Sequence, residues 1–200
     1  MNDSREHILN TSFKLFLQKS FKEVTMKEIV EETGMSKGAF YHYFSSKEQV
    51  FEEVIRHYFA DLMQDDFGDF SKESLHGFYN DCLNAMENKT KAAQQLWGSK
   101  EEFSTNHYFL LFDAMKMLPN FKKELIGHQK AELKAWRDIC HTAKKKGEIR
   151  STLSDEQLGK MFIYMGDGLG IQLIMMENTM RLKKDLKLLW DGLYQSLKSN

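Results

Sequence analysis

The chain has 200 residues, of which 42% are hydrophobic and 12% aromatic, a composition that excludes intrinsic disorder and allows a sizeable core. Its formal net charge is −1 at pH 7, so no overall field attracts nucleic acid or a membrane, and any such interaction must depend on local charge. One proline, with abundant Leu, Lys, Glu, Met and Ala, favours helix throughout. We therefore predict an all-α fold.

The N-terminal third contains short helices with clear start signals. A first helix from about Ser4 to Lys19 carries apolar residues at helical spacing. Thr25 and Glu28 form a capping box for a second helix, which Gly34 ends after two turns. Two short helices joined by a tight turn that contains glycine are typical of a helix-turn-helix.

Two further helix starts follow directly in the sequence. Ser36 can cap a third, short helix. A longer fourth helix can be capped by Ser45 with Glu48 or by Ser46 with Gln49, and the sequence leaves both pairs open.

The third helix has two unlike faces. Phe40 and Phe44 fall on one side and are predicted to pack into the core. Lys37 and Tyr41 lie four residues apart on the other side, beside the row of Gly38 and His42. The sequence thus predicts an outward face with a cation, a phenol, an imidazole and a stretch of bare backbone.

This face is suited to an anionic partner. No acidic residue lies between Thr33 and Lys47, and Gly38 costs about 1 kcal/mol of helix propensity relative to alanine. That cost is explained if a ligand must approach the helix N-terminus closely, where free N–H groups favour phosphate. The Thr25 hydroxyl and Lys47 would flank the same surface, so we predict a phosphate clamp around a helix that fits the major groove.

Longer helices follow residue 70, with several recognisable ends. Pro119 suits the first turn of a helix, Gly147 after Lys144–Lys146 suits a C-terminus, and Ser154 with Gln157 forms another capping box. The predicted ranges are about 72–97, 104–117, 120–146, 154–177 and 181–198.

The run TMKEIVEETGMSKGAFYHYFSSKEQVF, within the segment from about Arg5 to Val54, resembles the DNA-binding domain of the TetR family of transcriptional regulators. The matching features are the Thr-capped helix, the turn glycine, the Ser-Lys-Gly opening and the Lys-Glu start of the fourth helix. Val30 and Thr33 stand where the family commonly has alanine, and Tyr43 stands where many members have histidine.

The resemblance implies a three-helix DNA-binding domain in residues 1–47 and a helical ligand-binding and dimerisation domain in 48–200, with about nine helices in all. It implies a homodimeric repressor that is released from a palindromic operator by a small apolar or aromatic ligand, with no enzymatic activity and no cofactor. The DNA-binding residues expected from it and from the faces above are Thr25, Ser36, Lys37, Gly38, Ala39, Tyr41, His42, Tyr43 and Lys47.

The C-terminal part contains candidate residues for a dimer interface and for a ligand pocket. The 154–177 helix is apolar on more than one face, which fits an ordinary monomeric core and pairing with a second copy equally well. With two short DNA-reading helices upstream, a two-fold dimer through the last two helices is the preferred hypothesis. The candidate dimer residues are Phe162, Met165, Leu169, Leu186, Leu189 and Leu193. Soft and aromatic residues of the middle helices are candidates for a ligand pocket, although core packing explains each one singly: Phe78, Cys82, Met86, Trp97, Phe109, Phe112 and Trp136.

Two other classes of protein remain open. Glu53, His57 and Asp61 lie four apart on one helical face and could bind a divalent ion in a helical ligand- or metal-binding protein or enzyme without DNA function, although a solvated charged face is the simpler explanation. A helical protein that binds only other proteins is the third reading.

The chain carries no signal of export or membrane insertion. Its N-terminus has no apolar signal core, and the apolar run from Met161 to Met176 is too short and too polar to span a bilayer. Cys82 and Cys140 are too few for a disulfide framework, and their apolar surroundings predict buried free thiols. We expect a cytoplasmic protein.

Overall fold

The computed structural model describes residues 3–59, 67–97 and 105–198, with the side chains of residues 93, 94, 96 and 97 left out. The described residues are all-α, as predicted, and contain nine α-helices and one short 3-10 helix. The α-helices are α1 Asp3–Gln18, α2 Met26–Thr33, α3 Lys37–Tyr41, α4 Lys47–Phe59, α5 Leu75–Trp97, α6 Thr105–Met117, α7 Pro119–Lys145, α8 Asp155–Met175 and α9 Leu182–Leu197.

The predicted helix ends agree with the structure to within a few residues. Helix α7 begins at Pro119, and Gly147 after it has the left-handed φ of 72° that favours glycine. Ser154 caps α8 in the predicted capping box with Gln157. Of the two caps left open for α4, the structure has Ser46, whose hydroxyl accepts from the Gln49 N–H at 3.1 Å.

A first compact unit contains α1–α4, α6 and the start of α7 as far as Glu124. Its core is built from aromatic rings of α1 and α4. The Phe13 and Tyr58 rings stack at 4.0 Å, and Phe51 meets Phe16 edge-on at 5.2 Å. The packing of α4 on α1 thereby fixes the base on which the two short helices α2 and α3 rest.

A second compact unit contains α5, the rest of α7, α8 and α9. Its centre is Trp136, which is 1% exposed and stacks on Phe162 at 4.8 Å, with Trp190 edge-on at 5.2 Å. The Trp190 indole N–H donates to the Phe162 carbonyl at 3.0 Å. Helix α8 approaches α7 closely here, because a methyl group at Gly159 would lie 3.1 Å from the Trp136 Cβ.

The division into compact units does not follow the predicted functional division at residue 47. Helix α4 and α6 both belong to the first unit. The boundary between a DNA-binding part and a regulatory part therefore stays a prediction about function.

Cys82 and Cys140 are free and buried, as predicted. Burial raises the pKa of the Cys140 thiol to about 12, so it is protonated and unreactive at neutral pH. Within the described ranges, no helix is both long and apolar enough to cross a bilayer.

Glu148 holds the N-terminus of α5 from a distant position in the chain. Its two carboxylate oxygens accept from the Leu75 and His76 N–H groups at 2.9 and 3.1 Å. The Tyr194 hydroxyl also hydrogen-bonds to Glu148, and burial is the main reason why the pKa of Tyr194 is raised. Helices α5 and α9 are thus linked through one carboxylate of the segment that follows α7, and this carboxylate also complements the α5 dipole.

We expect Glu148→Ala to destabilise the second unit by about 2–3 kcal/mol, because two backbone donors lose a charged acceptor. Glu73→Ala is the matched control, since Glu73 pairs with Lys146 on an exposed surface and its removal should leave stability within error. Urea unfolding of both variants measures the difference. A Glu148 variant as stable as the Glu73 control would contradict this stabilising role of Glu148.

Candidate nucleic-acid interface

The helix-turn-helix starts from a fully formed cap. The Thr25 hydroxyl accepts from the Glu28 N–H at 3.2 Å, and the Glu28 carboxylate accepts from the Thr25 N–H at 3.5 Å. Lys19 pairs with Glu28, and this hydrogen bond holds the pKa of Glu28 below its usual range. The carboxylate therefore stays ionised and keeps the cap closed at neutral pH.

The turn between α2 and α3 explains one of the residues unusual for the family. Gly34 has a left-handed φ of 66°, and its N–H bonds to the Glu31 carbonyl. Thr33 is 7% exposed; its hydroxyl donates to the Val30 carbonyl at 2.8 Å and accepts from the Met35 N–H at 3.4 Å. Thr33 thus fastens the turn with a hydroxyl that alanine does not have.

Helix α3 is only five residues long and is anchored from one side. Ser36 caps it by accepting from the Ala39 N–H at 3.3 Å. Phe40 and Phe44 are 0% exposed, which confirms that they belong to the core. A helix of this length is too short to be stable alone, so these two rings set its position.

The opposite side of α3 faces outward, as the helical spacing predicted. Lys37, Gly38, Ala39, Tyr41 and His42 are all exposed, and the Lys37 ammonium lies 5.9 Å from the centre of the Tyr41 ring. We call these five residues the α3 face. They form a continuous surface that combines positive charge with an aromatic ring.

No contact among the described residues requires a glycine at position 38. Its φ is not left-handed, and a methyl group there would meet no described atom within 4 Å beyond its own helix turn and chain neighbours. The helix would therefore accept alanine without strain. The bare backbone at Gly38 leaves room for a molecule outside the chain.

Among the predicted DNA-binding residues, Lys47 has contacts within the domain that the sequence did not predict. Its ammonium group donates to the carbonyls of Phe21 and Val24, each at 2.7 Å, and lies 4.2 Å from the centre of the Phe21 ring. Two of its three protons are therefore used inside the domain. Tyr43 is half-buried, with its ring 5.4 Å from that of His42, at the edge of the α3 face.

The alternative of a divalent-ion site finds no support among the described residues. Glu53 forms an ion pair with Arg5 at 2.5 Å, and Asp61 lies outside the described residues. No group of three His, Cys, Asp or Glu within the described ranges is arranged to hold a metal ion.

The described candidate pocket residues are divided between the two compact units. Phe78, Cys82 and Trp136 lie in the core of the second unit, with Met86 packed against it. Phe109 and Phe112 belong to the first unit and are 65% and 59% exposed, while the side chain of Trp97 lies outside the described residues.

Phe78 does line a cleft of about 560 Å³ between the 67–72 segment and α7. The floor of this cleft is apolar, with Phe67, Ala135 and Ile139 beside Phe78. Its rim carries charged and hydroxyl side chains, namely Ser71, Lys72, Lys134, Asp138 and Thr142.

The candidate dimer residues divide into core and surface. Phe162 and Leu186 are 0% exposed within one chain, so they belong to the core and leave the set that a partner could contact. Met165, Leu169 and Leu193 are half-buried against the same core, and Leu189 is 43% exposed.

One stripe along α8 carries exposed apolar side chains that are not among the candidate dimer residues. It consists of Met161, Tyr164, Gly168, Ile171 and Met175, of which the four with side chains are 39–67% exposed. We call these five residues the α8 stripe. Their spacing of three and four residues is that of a helix-pairing seam and was the signal in the sequence that could have found them.

Comparison with known proteins places the N-terminal segment in a described family. Residues 8–54 match the bacterial regulatory proteins of the tetR family. The chain is 45% identical over 58 residues to the HTH-type transcriptional regulator YerO of Bacillus subtilis, covering 29% of this chain and 20% of that protein. It is 34% identical over 90 residues to the HTH-type transcriptional repressor NemR of Escherichia coli, covering 42% of this chain and 45% of NemR.

These matches span less than half the length of either relative. Both relatives are named as regulators or repressors of transcription, which agrees with the prediction that the chain is not an enzyme.

Solved structures share the fold along nearly the whole chain. The reduced form of E. coli NemR has a TM-score of 0.58 at 18% identity and covers 98% of both chains. NalD, the secondary repressor of the MexAB-OprM multidrug efflux pump in Pseudomonas aeruginosa, has a TM-score of 0.64 at 15% identity and covers 98% of this chain and 96% of NalD. The family match at residues 8–54 coincides with the helix-turn-helix geometry of α2 and α3, so this segment is similar to the DNA-binding part of the bacterial regulatory proteins of the tetR family.

Proposed function

We propose that this chain is a cytoplasmic, sequence-specific DNA-binding repressor of transcription that reads its operator with the α3 face. The observation that carries the proposal is Gly38, an exposed helical glycine that leaves open a space where a side chain would meet no described atom within 4 Å beyond its own helix turn and chain neighbours. Lys37 and Tyr41 lie on the same surface, 5.9 Å apart. A cation, an aromatic ring and open backbone on a short helix are suited to base edges and phosphates in a major groove.

Local rather than overall charge would attract the DNA. The formal net charge of −1 gives no general attraction, but the stretch between Thr33 and Lys47 contains no acidic residue. The Thr25 hydroxyl, which uses a lone pair in the α2 cap, keeps its proton for a phosphate oxygen.

We propose further that the protein acts as a two-fold homodimer on a palindromic operator, paired through the α8 stripe and exposed leucines of α9. The stripe leaves Tyr164, Ile171 and Met175 at 62%, 47% and 67% exposure, and Leu188 of α9 is 73% exposed. Exposed apolar side chains that follow one face of a helix are typical of an interaction surface. A methyl group at Gly168 would meet no described atom within 4 Å beyond its helix turn and chain neighbours, which leaves room for close approach by a partner helix.

For the effector we propose a small apolar or aromatic molecule, with the cleft beside Phe78 as its entry or binding site. The apolar floor would cover the body of such a ligand, and the rim hydroxyl groups of Ser71 and Thr142 could fix its polar end. Of the pocket candidates whose side chains are described, Phe78 is the one that lines this cleft.

Selection of genomic fragments by the purified protein, with sequencing of the retained DNA, tests the proposal. We expect a palindromic sequence with half-sites about one helical turn apart. Repetition of the selection with a panel of small apolar and aromatic compounds should find one that releases the fragments. A folded protein that retains no sequence above background would refute DNA recognition.

A further inference from the structure

Lys47 is the first residue of α4, and its ammonium group is turned toward the loop between α1 and α2. It donates to the Phe21 and Val24 carbonyls at 2.7 Å each, and its charge lies 4.2 Å from the centre of the Phe21 ring. Phe21 and Val24 are 6% and 0% exposed. Charge-assisted hydrogen bonds at this distance are among the stronger contacts a surface lysine can make.

The loop that Lys47 holds is the one that presents Thr25. We call residues 19–25 the α1–α2 turn. Within it, the Val24 N–H bonds to the Ser20 carbonyl at 3.3 Å, and the Ser20 N–H bonds to the Glu23 carboxylate at 2.9 Å. The residue after Val24 is Thr25, whose hydroxyl caps α2. Fixing the Val24 carbonyl therefore fixes the position of the Thr25 backbone and hydroxyl.

A second side chain holds the same turn from another helix. The Phe21 N–H lies 3.4 Å from the Asp113 carboxylate of α6. The peptide groups on either side of Phe21 thus have partners in α6 and α4. The turn is closed internally by the Glu23 and Val24 N–H groups, which both bond to the Ser20 carbonyl. The contacts from Lys47 and Asp113 add the hydrogen bonds that tie it to α4 and α6.

We propose that Lys47 is a positioning residue for DNA binding: it sets the place of Thr25 by holding the α1–α2 turn, rather than binding a phosphate itself. The effect of Lys47 on DNA binding rests on the proposed DNA-binding function. Its hydrogen bonds to the α1–α2 turn do not, because they are present without DNA. The two ideas can therefore fail separately.

Amide hydrogen exchange of the DNA-free protein tests the hold. Lys47→Met keeps the aliphatic stem on Phe21 but removes both donors, and we expect exchange at the Val24 and Glu28 amides to become about tenfold faster or more. The Phe40 amide of α3 should be unchanged. Lys22→Met is the matched control, because Lys22 is exposed in the same turn.

Lys47→Arg is the second variant, in case the methionine variant fails to fold. It retains the charge and should restore slow exchange in large part. Unchanged exchange in both Lys47 variants, equal to that of the Lys22 control, would overturn the inference.

Salt-dependent DNA binding tests the consequence. Loss of a direct phosphate contact lowers the slope of log K against log salt by about 0.9, whereas loss of a positioning residue leaves the slope unchanged. In a double-mutant cycle, Lys47→Met and Thr25→Ala should weaken binding together no more than the worse of the two does alone. A lower slope with multiplied losses would overturn the inference in favour of a phosphate ligand. If the wild-type protein binds no DNA, the proposed function fails, and the exchange result still decides whether Lys47 holds the turn.

Discussion

Replacing Lys37 or Tyr41 by alanine is expected to weaken operator binding by about tenfold to a hundredfold each, since a good contact to a base or phosphate contributes about 1–3 kcal/mol. Both side chains are exposed and form an exposed cation–aromatic pair with each other. Such a pair contributes at most about 1 kcal/mol to stability, so the variants should fold as the wild type does. Fluorescence anisotropy with an operator duplex at one fixed salt concentration measures the effect.

The pattern across DNA sequences separates the two kinds of contact. If Lys37 or Tyr41 reads a base edge, its loss relaxes specificity at one position of the operator. If it contacts a phosphate, its loss weakens all sequences about equally. Two folded variants that both bind like the wild type would show that α3 is not the recognition helix.

Gly38→Ala sharpens this test because it removes no group from the protein. Alanine favours helix over glycine by up to about 1 kcal/mol, and the added methyl group meets open space, so the variant should be as stable as the wild type or more so. Operator affinity should nevertheless fall, since the methyl group occupies the space left for DNA. Gly127→Ala in α7 is the matched control, also helical and open around its Cβ, and should leave operator affinity unchanged.

The second large effect concerns the dimer. Ile171→Asp places a charge in the middle of the α8 stripe, where burial against a partner would leave it without a compensating group. We expect the variant to be monomeric at concentrations where the wild type is dimeric, as measured by sedimentation velocity. Binding to a full palindrome should fall much further than binding to a single half-site.

Ile126→Asp provides the matched control for this charge. Ile126 of α7 is 41% exposed, close to the 47% of Ile171, but lies outside the α8 stripe. This variant should keep the dimer. A dimeric Ile171→Asp protein would contradict the proposed pairing surface.

Helix ends and core residues were predictable from the sequence because both follow from local chemistry. Thr25, Pro119 and Ser154 mark helix starts through their own hydrogen-bonding or backbone preferences. Phe40 and Phe44 were separable from Lys37 and Tyr41 because α3 has one apolar and one polar face.

The buried face was not predictable where a helix is apolar on more than one face. In helix α8 the spacing identifies several apolar stripes but does not say which one the chain itself covers. In the structure Phe162 is buried in the core, whereas Ile171 is exposed. The direction of the Lys47 side chain was also not predictable from the sequence. Its partners are backbone carbonyls of a distant turn, and such carbonyls have no signature in the sequence.

The anchoring of α3 by Phe40 and Phe44 has a consequence for how such a regulator changes over evolutionary time. The two buried rings hold the helix in place, and the exposed residues around them contribute little to its stability. Substitutions at Lys37, Ala39, Tyr41 and His42 therefore cost little stability, as is usual for surface positions. A gene duplicate can drift toward a new operator, one outward residue at a time, while its fold remains under unchanged selection.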